Sequence, residues 1–379
     1  MAIFFILSGI LMTLCGIYLY IIIQRFLSMF PAGGKTWLKK MTAAVTALLL
    51  VLSSLNLFGT GALLVLHFIA ASAVTDLVRL LVKKAGYRIP DLWDRLYRCS
   101  VPALLITSAI MGYAYVNMHH IIVTEYEVPV EKEIREEGYR IVFLSDLHFG
   151  TTMNQEKLLE LCSRMEAEHP DLVVLGGDIV DEATSLKEVK QAFQALAQIQ
   201  STYGTYYVYG NHDKGRYAGD CEFTAAGLTE AARNAGVYIL EDDTVMPNEE
   251  LSISGRRDRS DAVMEKIPRQ DSAALLDGIP QTAVHIIADH QPRDMEENAA
   301  AGFDFMLSGH THAGQMWPVG LITELFDKRT VNYGIKSFGD MQLIVSSGAG
   351  GWGYPLRTGR HSEFAVISIC PERTSEIKN

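Results

Sequence analysis

Four long apolar runs occupy the first third of the chain and are separated by short polar connections. The runs are Ile3–Ile23, Met41–Leu57, Leu63–Val82 and Val101–Val116. Each is close to the length that an α-helix needs to cross the apolar part of a bilayer. Core helices of a soluble domain are the alternative, but such helices usually keep a polar face, and these runs have almost none. The pattern therefore predicts an all-α transmembrane region of four helices over residues 1–118.

From residue 119 onward, short apolar runs of strand length alternate with stretches of helical period. Ile121–Val130 alternates apolar and polar side chains and predicts an edge strand, a position that tolerates Pro129. Further predicted strands cover 140–144, 171–175, 205–209, 237–240, 251–254, 285–288, 303–307, 341–345 and 364–369, with helices at 154–166, 186–198 and 224–234. Strands alternating with helices indicate an α/β domain over residues 119–379.

Charge divides the chain at the same place. Residues 1–118 contain ten Lys or Arg and three Asp, so they carry a formal charge of +7, and the remainder carries −18 of the total of −11. A nucleic-acid-binding surface normally has a basic footprint, so no nucleic-acid partner is expected for the acidic part.

The connections between the apolar runs predict a sidedness. The segment 25–40 has four basic residues and no acid, the segment 83–98 has five basic residues and two acids, and the middle connection 56–61 is uncharged. Because basic loops stay in the cytoplasm, the first and third connections are expected there. The sequence thus predicts a multi-pass plasma-membrane protein whose acidic domain is extracytoplasmic.

Polar motifs follow five of the predicted strands. They are Asp146-x-His148, Gly177-Asp178-x-x-Asp181, Gly210-Asn211-His212-Asp213, Asp289-His290 and Gly309-His310-Thr311-His312. Taken singly, each can be a helix cap or a turn. Because ligands bind outside the carboxyl ends of strands in α/β sheets, the five together are expected to meet at one sheet edge.

The residue types suit two divalent cations, which need one shared ligand and several private ones. Asp178 is the predicted bridging ligand, since a carboxylate offers two oxygens. The predicted private ligands are Asp146, His148 and His312 at one cation and Asn211, His290 and His310 at the other. Nitrogen and oxygen ligands accept Mn, Fe or Zn, so the metals stay open.

Other residues are expected to act on the substrate. His212 is predicted to donate a proton to the leaving oxygen, with Asp213 holding its imidazole in the required tautomer. Arg357 and Arg360, in the Gly-rich segment 350–360, are predicted to bind the substrate phosphate, although an ordinary surface loop fits that segment equally well. Trp352 is a candidate apolar contact for a lipid tail or a sugar.

The five motifs together resemble the signature of the calcineurin-like metallophosphoesterase superfamily. Leu307–Gln315 resembles in addition a branch of bacterial membrane-associated phosphoesterases, which usually has Gly where this chain has Ala313. The resemblance implies a four-layer α/β/β/α sandwich with two mixed sheets and a dinuclear metal centre. It does not extend to the four apolar runs.

Motifs, charge and resemblance together predict a membrane-anchored, metal-dependent phosphohydrolase, with a phosphodiesterase favoured. A metal-bridging hydroxide would attack phosphorus in line, on a lipid head group or another cell-envelope phosphoester. The alternative is a membrane-bound sensor whose outer domain binds ligand without turnover. The chain retains both the ligand set and His212, which favours the enzyme.

Overall fold

A computed structural model describes residues 2–31, 35–56 and 59–372, with side chains from residue 9 onward. The chain divides into two compact units, residues 1–114 and 115–379. The domain boundary predicted after residue 118 stays a prediction.

The first unit is helical. Its helices are α1 (Ala2–Leu27), α2 (Thr36–Ser53), α3 (Thr60–Lys84), α4 (Asp91–Arg98) and α5 (Val101–His119), the last of which continues into the second unit. By length and composition, α2, α3, α5 and residues 9–27 of α1 can each cross a membrane. The second predicted span ends at Leu57, which lies outside the described residues. Large apolar side chains such as Leu49 and Leu105 remain exposed, as lipid-facing residues do.

Helix α4 lies in a segment that the sequence predicted as a connection. Its Asp94 pairs with Arg98 one turn later at 2.9 Å and with Arg79 of α3 at 2.5 Å. Pro90 precedes its first residue, a position where proline does not interrupt a helix. The helix is short and strongly charged, so no apolar run marked it.

The second unit contains two six-stranded sheets. The first sheet has the order β1-β12-β2-β3-β4-β5, with β1 at Ile121–Val130, β2 at Tyr139–Leu144, β3 at Leu172–Leu175, β4 at Thr205–Tyr207, β5 at Tyr238–Ile239 and β12 at Ser362–Pro371. The second has the order β10-β11-β9-β8-β7-β6, with β6 at Asp243–Val245, β7 at Leu251–Gly255, β8 at Val284–Ala288, β9 at Phe305–Ser308, β10 at Gly334–Phe338 and β11 at Met341–Val345.

Apolar side chains fill the space between the two sheets and behind each of them. Along β2, Ile141 and Phe143 face the core between the sheets, whereas Val142 and Leu144 face the helices, because successive strand residues point to opposite faces. The helices of this unit are α6 (Gln155–Glu166), α7 (Leu186–Leu196), α8 (Ala225–Asn234), α9 (Met295–Ala301) and α10 (Val319–Phe326). The first three cover the first sheet, and α9 covers the second through Met295. The predicted four-layer sandwich is confirmed.

Both sheets are mixed, as predicted. Strand β12 is parallel to β1 and antiparallel to β2, and β10 is antiparallel to β11. Strand β1 lies at a sheet edge with Pro129 in it, also as predicted. The sequence missed β6 and β10, since β6 has three residues and β10 is a half-exposed edge strand with little apolar signal.

Parallel neighbours bring the polar motifs together. Leu144 at the end of β2 is in register with Leu175 at the end of β3, and β4 runs parallel beside them. In the second sheet, Ala288 at the end of β8 is in register with Leu307 of β9. The residues that follow these strands therefore emerge at one end of the sandwich.

Candidate metal centre

Five of the seven predicted metal ligands have a backbone that side-chain-bearing residues rarely adopt. The φ angles of Asp146, His148, Asp178, His310 and His312 are 51°, 43°, 51°, 70° and 49°. A left-handed non-glycine residue costs of order 1–3 kcal/mol and persists only where its surroundings hold it. These backbone angles turn the chain sharply after each strand, so that the five side chains converge.

Asp146, His148 and His312 form one buried group, whose candidate ligand atoms all lie within 4.8 Å of one another. His312 Nε2 is 3.4 Å from Asp146 Oδ1 and 3.2 Å from His148 Nε2. Burial and the neighbouring His148 hold the pKa of His312 well below its usual value. His312 is therefore a neutral imidazole whose Nε2 faces a carboxylate and another imidazole nitrogen. These three side chains are suited to bind one cation together.

Asp178, His290 and His310 form the second group, with the same spread of ligand atoms. His290 Nδ1 donates to the carbonyl oxygen of Gly176 at 2.8 Å, which directs Nε2 toward Asp178 Oδ2 at 3.1 Å. This arrangement, in which the other ring nitrogen is fixed by a backbone oxygen, is typical of metal-binding histidines. Burial and the neighbouring His290 lower the pKa of His310 to about 4, so His310 is also neutral.

Asp178 connects the two groups. Its Oδ2 is 3.1 Å from His290 Nε2 and 3.9 Å from His148 Nε2, while its Oδ1 accepts a hydrogen bond from the backbone N–H of His212 at 2.8 Å. Burial raises the pKa of Asp178, but the neighbouring His290 ring lowers it by more, and the pKa lies well below its usual value. An ionised carboxylate between two imidazole groups is the donor that a shared cation requires.

Asn211 supplies a separate indication of a ligand. Its Oδ1 is buried and accepts no hydrogen bond from the part of the chain that the structure describes. A buried amide oxygen left without a donor costs about 1–3 kcal/mol unless something else binds it. A divalent cation at the second group fits, because amide oxygen is a good ligand for such ions.

Glycines make room for this arrangement. Gly177 has a φ of 90°, and a Cβ atom there would lie 2.6 Å from Gly210 N and 2.7 Å from His290 Nδ1. Both the backbone angle and the contacts therefore require glycine just before Asp178.

His212 does not have the partner that the sequence predicted. Its Nδ1 is 2.8 Å from Glu182 Oε2. Asp213 is fully buried, and its carboxylate accepts backbone N–H groups of Asp178 at 2.7 Å, Gly210 at 2.7 Å and Val180 at 3.1 Å. The predicted role of Asp213 is therefore wrong: it holds the turns that carry the ligands.

Glu182 was missed by sequence reasoning, and its only sequence signal was an acid directly after the Gly177–Asp181 motif. Burial lowers the pKa of His212. The hydrogen bond to Glu182 and the nearby carboxylates raise the pKa by more, so the net shift is upward. Asp181, its neighbour, lies 3.5 Å from His148 Nδ1 and accepts from Thr151 Oγ1 at 3.0 Å. The two adjacent acids thus serve different histidines.

Comparison with known proteins agrees with this site. Residues 139–314 match the family model for calcineurin-like phosphoesterases. Residues 139–314 of the second unit are therefore a region of the calcineurin-like metallophosphoesterase family. Members of this family use divalent metals and hydrolyse phosphoester bonds.

Three relatives illustrate the range of similar chains. An uncharacterized metallophosphoesterase of Helicobacter pylori J99 is 29% identical over 261 residues, which are 65% of this chain and 64% of the relative. A zebrafish (Danio rerio) transmembrane protein with a metallophosphoesterase domain is 30% identical over 285 residues, 72% of this chain and 63% of the relative. Phosphodiesterase YaeI of Escherichia coli is 27% identical over 240 residues, 61% of this chain and 82% of the relative. The chain thus spans less than two thirds of the first two proteins, and with four apolar helices it is a membrane protein.

Within the second unit, Arg357 does not reach toward a substrate. Its side chain is fully buried, and its guanidinium donates to the carbonyl oxygens of His312 at 3.1 Å, Ser347 at 2.8 Å and Gly350 at 2.6 Å. The prediction that Arg357 binds the substrate phosphate is wrong, because this side chain supports the backbone beneath the centre. The guanidinium of Arg360 lies over the ring of Tyr333, 4.9 Å from its centroid.

Two aromatic side chains accompany His212. The ring of Trp352 is 5.4 Å from the His212 ring, and that of Tyr217 is 4.8 Å away on the exposed surface. Trp352 was predicted as an apolar contact, whereas Tyr217 had no sequence signal because it lies in an irregular segment. Together they give His212 an aromatic surrounding.

Proposed function

We propose that this chain is a membrane-anchored phosphodiesterase that acts through two divalent cations. The observation that carries the proposal is the position of Asp178 Oδ2 between the two buried ligand groups. Asp146, His148 and His312 would hold one cation, Asn211, His290 and His310 the other, and Asp178 both. When bound, such a pair polarises a phosphoryl oxygen and lowers the pKa of water.

His212 would act on the leaving group. With Nδ1 engaged by Glu182 Oε2, Nε2 is the ring atom that remains to transfer a proton. A positioned imidazole of this kind typically contributes 10²–10⁴-fold to the rate. Glu182 would keep the ring oriented and stabilise its protonated form, so that His212 starts the reaction with its proton in place.

The substrate class follows from the membrane region and the aromatic residues. Attachment to a membrane raises the effective concentration of substrates in or near that membrane. Trp352 and Tyr217 beside His212 suit a lipid or sugar portion on the leaving side. A phosphodiester in a lipid head group or a cell-envelope polymer is therefore the substrate class that we propose, and the E. coli relative, whose name describes a phosphodiesterase, supports a diester.

The basic connections of the first unit support an extracytoplasmic metallophosphoesterase domain. A sensor that binds the same phosphoester without turnover is the second candidate. It would need the ligand set but not the pair formed by His212 and Glu182, and this chain has both.

The test uses the full chain in lipid nanodiscs, stripped of metal and then supplied with Mn²⁺. Hydrolysis of bis-p-nitrophenyl phosphate is compared with that of p-nitrophenyl phosphate, and bound metal is counted by mass spectrometry. We expect two ions per chain and faster turnover of the diester. Asp178→Asn should lose both metal and turnover, whereas Asp340→Asn, the same change at an exposed turn, should lose neither.

Two bound ions without turnover of either substrate would favour the sensor. Turnover that survives complete metal removal, or that Asp178→Asn leaves unchanged, would contradict the proposal.

A further inference from the structure

A continuous apolar surface follows the metal-binding motif of the second unit. It consists of Trp317 and the side chains of α10, which we call the apolar segment (317–326). Trp317 is 69% exposed and Phe326 84%, and four more large apolar residues between them are also exposed: Val319, Leu321, Ile322 and Leu325. Single exposed apolar residues are ordinary, but a contiguous group of this kind marks an interaction surface.

The backbone of the apolar segment is held in place. The N–H of Trp317 donates to Thr358 Oγ1 at 2.9 Å, and the N–H groups of Thr358 and Gly359 donate to the carbonyl oxygen of Gln315 at 3.1 and 3.0 Å. Gly320 is buried, so one side of α10 rests on the domain. The exposed side chains are therefore presented by an ordered helix and not by a loose loop.

The same stretch, residues 357–360, also binds the end of the last membrane-spanning helix. Asn117 Nδ2 donates to the carbonyl oxygens of Arg357 at 3.1 Å and Arg360 at 3.3 Å, and Ser362 Oγ donates to the carbonyl oxygen of Met118 at 2.8 Å. All of these residues belong to the second unit. Residues 357–362 thus form hydrogen bonds both to the end of helix α5 and to the start of the apolar segment.

The end of α5 is expected at the surface of a bilayer. The helix has 19 residues, and at about 1.5 Å per residue it spans roughly the 30 Å of the apolar layer. Tyr115 near its end is exposed, as aromatic residues at a membrane–water interface are. Segments that are hydrogen-bonded next to residues 117–118 are consequently expected close to lipid head groups.

We propose that the apolar segment inserts into the lipid surface of the membrane that the N-terminal helices cross. Its composition fits a lipid surface: Trp and Phe lie at its two ends, where interfacial aromatics are favourable, and the large side chains between them are aliphatic apart from Thr323 and Glu324. Lys328 and Arg329 follow after Asp327, which pairs with Arg293, and both are exposed, which suits anionic head groups. The helix would lie in the interface and not span it, since it has only eight residues.

Such insertion has a consequence for the metal centre. Only a few residues separate His312 from Trp317, and Gln315 between them is hydrogen-bonded to the stretch that carries Trp352. A segment inserted at head-group depth would bring the centre to phosphoesters at the lipid surface. The insertion itself does not depend on turnover, so its test uses binding alone.

The test measures quenching of tryptophan fluorescence by brominated lipid. The full chain is placed in nanodiscs of phosphatidylcholine with phosphatidylglycerol, with or without phosphatidylcholine brominated near the head group. In a Trp317→Phe background, Phe326→Trp adds a reporter to the apolar segment. The matched control adds Tyr238→Trp, an aromatic on β5 that is 58% exposed and lies at the opposite edge of the first sheet from β1.

We expect the emission added by Phe326→Trp to be mostly lost in brominated discs and that added by Tyr238→Trp to be unchanged. Wild type should likewise lose the share of emission that Trp317→Phe removes. All three changes exchange exposed aromatic residues, so the fold is preserved. Equal quenching of both reporters, or none at Phe326→Trp, would overturn the proposal. An unquenched reporter in discs that contain two chains would instead identify the segment as a contact between copies.

Discussion

Replacing Glu182 with Gln keeps the shape of the side chain but removes the charge that faces His212. The two side chains are about 10% exposed and joined at 2.8 Å, so solvent screens this pair little. A hydrogen bond to a charged group contributes about 1.5–3 kcal/mol, and a neutral one about 0.5–1.5 kcal/mol. The substitution therefore removes about 1–1.5 kcal/mol of support for the protonated ring.

The weaker support for the protonated His212 ring should slow proton donation to the leaving group. At about 1.4 kcal/mol per factor of ten, the protonated fraction of His212 above the pKa of the ring, and with it kcat, should fall about 5- to 15-fold for Glu182→Gln and about 10- to 150-fold for Glu182→Ala, which removes the whole interaction. The fall should depend on the leaving group, because a nitrophenolate departs without a proton and a more basic phenolate needs one.

The assay compares kcat for bis-p-nitrophenyl phosphate with kcat for the corresponding diphenyl ester, using the full chain with Mn²⁺. Glu222→Gln, the same change at an exposed position, is the control and should alter neither rate. KM should change little, since Glu182 contacts His212 and the backbone of Tyr217, whose N–H it accepts at 3.3 Å. Equal loss with both esters would refute the role of Glu182 in proton donation. A leaving-group-dependent loss in Asp213→Asn instead would restore the role that the sequence predicted for Asp213.

Three further predictions concern the centre and its support. His290→Ala should reduce bound metal from two ions to one per chain, counted by mass spectrometry, because it removes a ligand of the second group only. Arg357→Ala should lower the free energy of unfolding of the second unit by about 3 kcal/mol or more, since three carbonyl oxygens lose a buried charged donor; chemical denaturation measures it. Gly177→Ala should also weaken metal binding, because its Cβ atom would collide with Gly210 and His290; isothermal titration with Mn²⁺ measures the affinity.

Each of these three predictions has a control variant and an outcome that would contradict it. His361→Ala, an exposed histidine, should retain both ions, and two ions in His290→Ala would exclude His290 as a ligand. Arg360→Ala should leave the stability nearly unchanged, and an equal effect of both arginine variants would contradict the support role of Arg357. Gly236→Ala has the same left-handed strain without a close contact, so an equal loss of affinity there would show that the collision is not the cause.

Local patterns of apolar and polar residues were enough to predict the layers of the sandwich and the candidate metal ligands. Apolar runs of about twenty residues have no stable state in water except within a large core, so spans can be predicted from length alone. Strands such as β2, β3 and β8 are buried on both faces and are therefore apolar throughout, which makes them visible as short runs. The polar residues directly after such runs have to lie at a sheet edge, and the structure brings all seven predicted ligands to one end of the sandwich.

Other features followed only from the way in which separate segments meet. An arginine in a Gly-rich segment has the same sequence signal whether it points to solvent or to backbone oxygens, and only the fold placed Arg357 beneath His312. Asp213 is adjacent to His212 in the chain, but the turn directs its carboxylate to the backbone of a neighbouring strand end, and Glu182 approaches His212 from another segment. Sequence proximity misled there because side chains next to each other in a turn point in different directions.

The chain by itself thus determined which residue types were available for a metal centre and which segments can cross a membrane. Both depend on composition and period, and these are local properties. The tertiary structure decided which acid holds which histidine, which arginine is buried and that the apolar segment (317–326) is exposed near residues 117–118. Those outcomes depend on contacts between residues of separate segments, 30 positions apart for His212 with Glu182 and 240 for Asn117 with Arg357, and no local pattern encodes them.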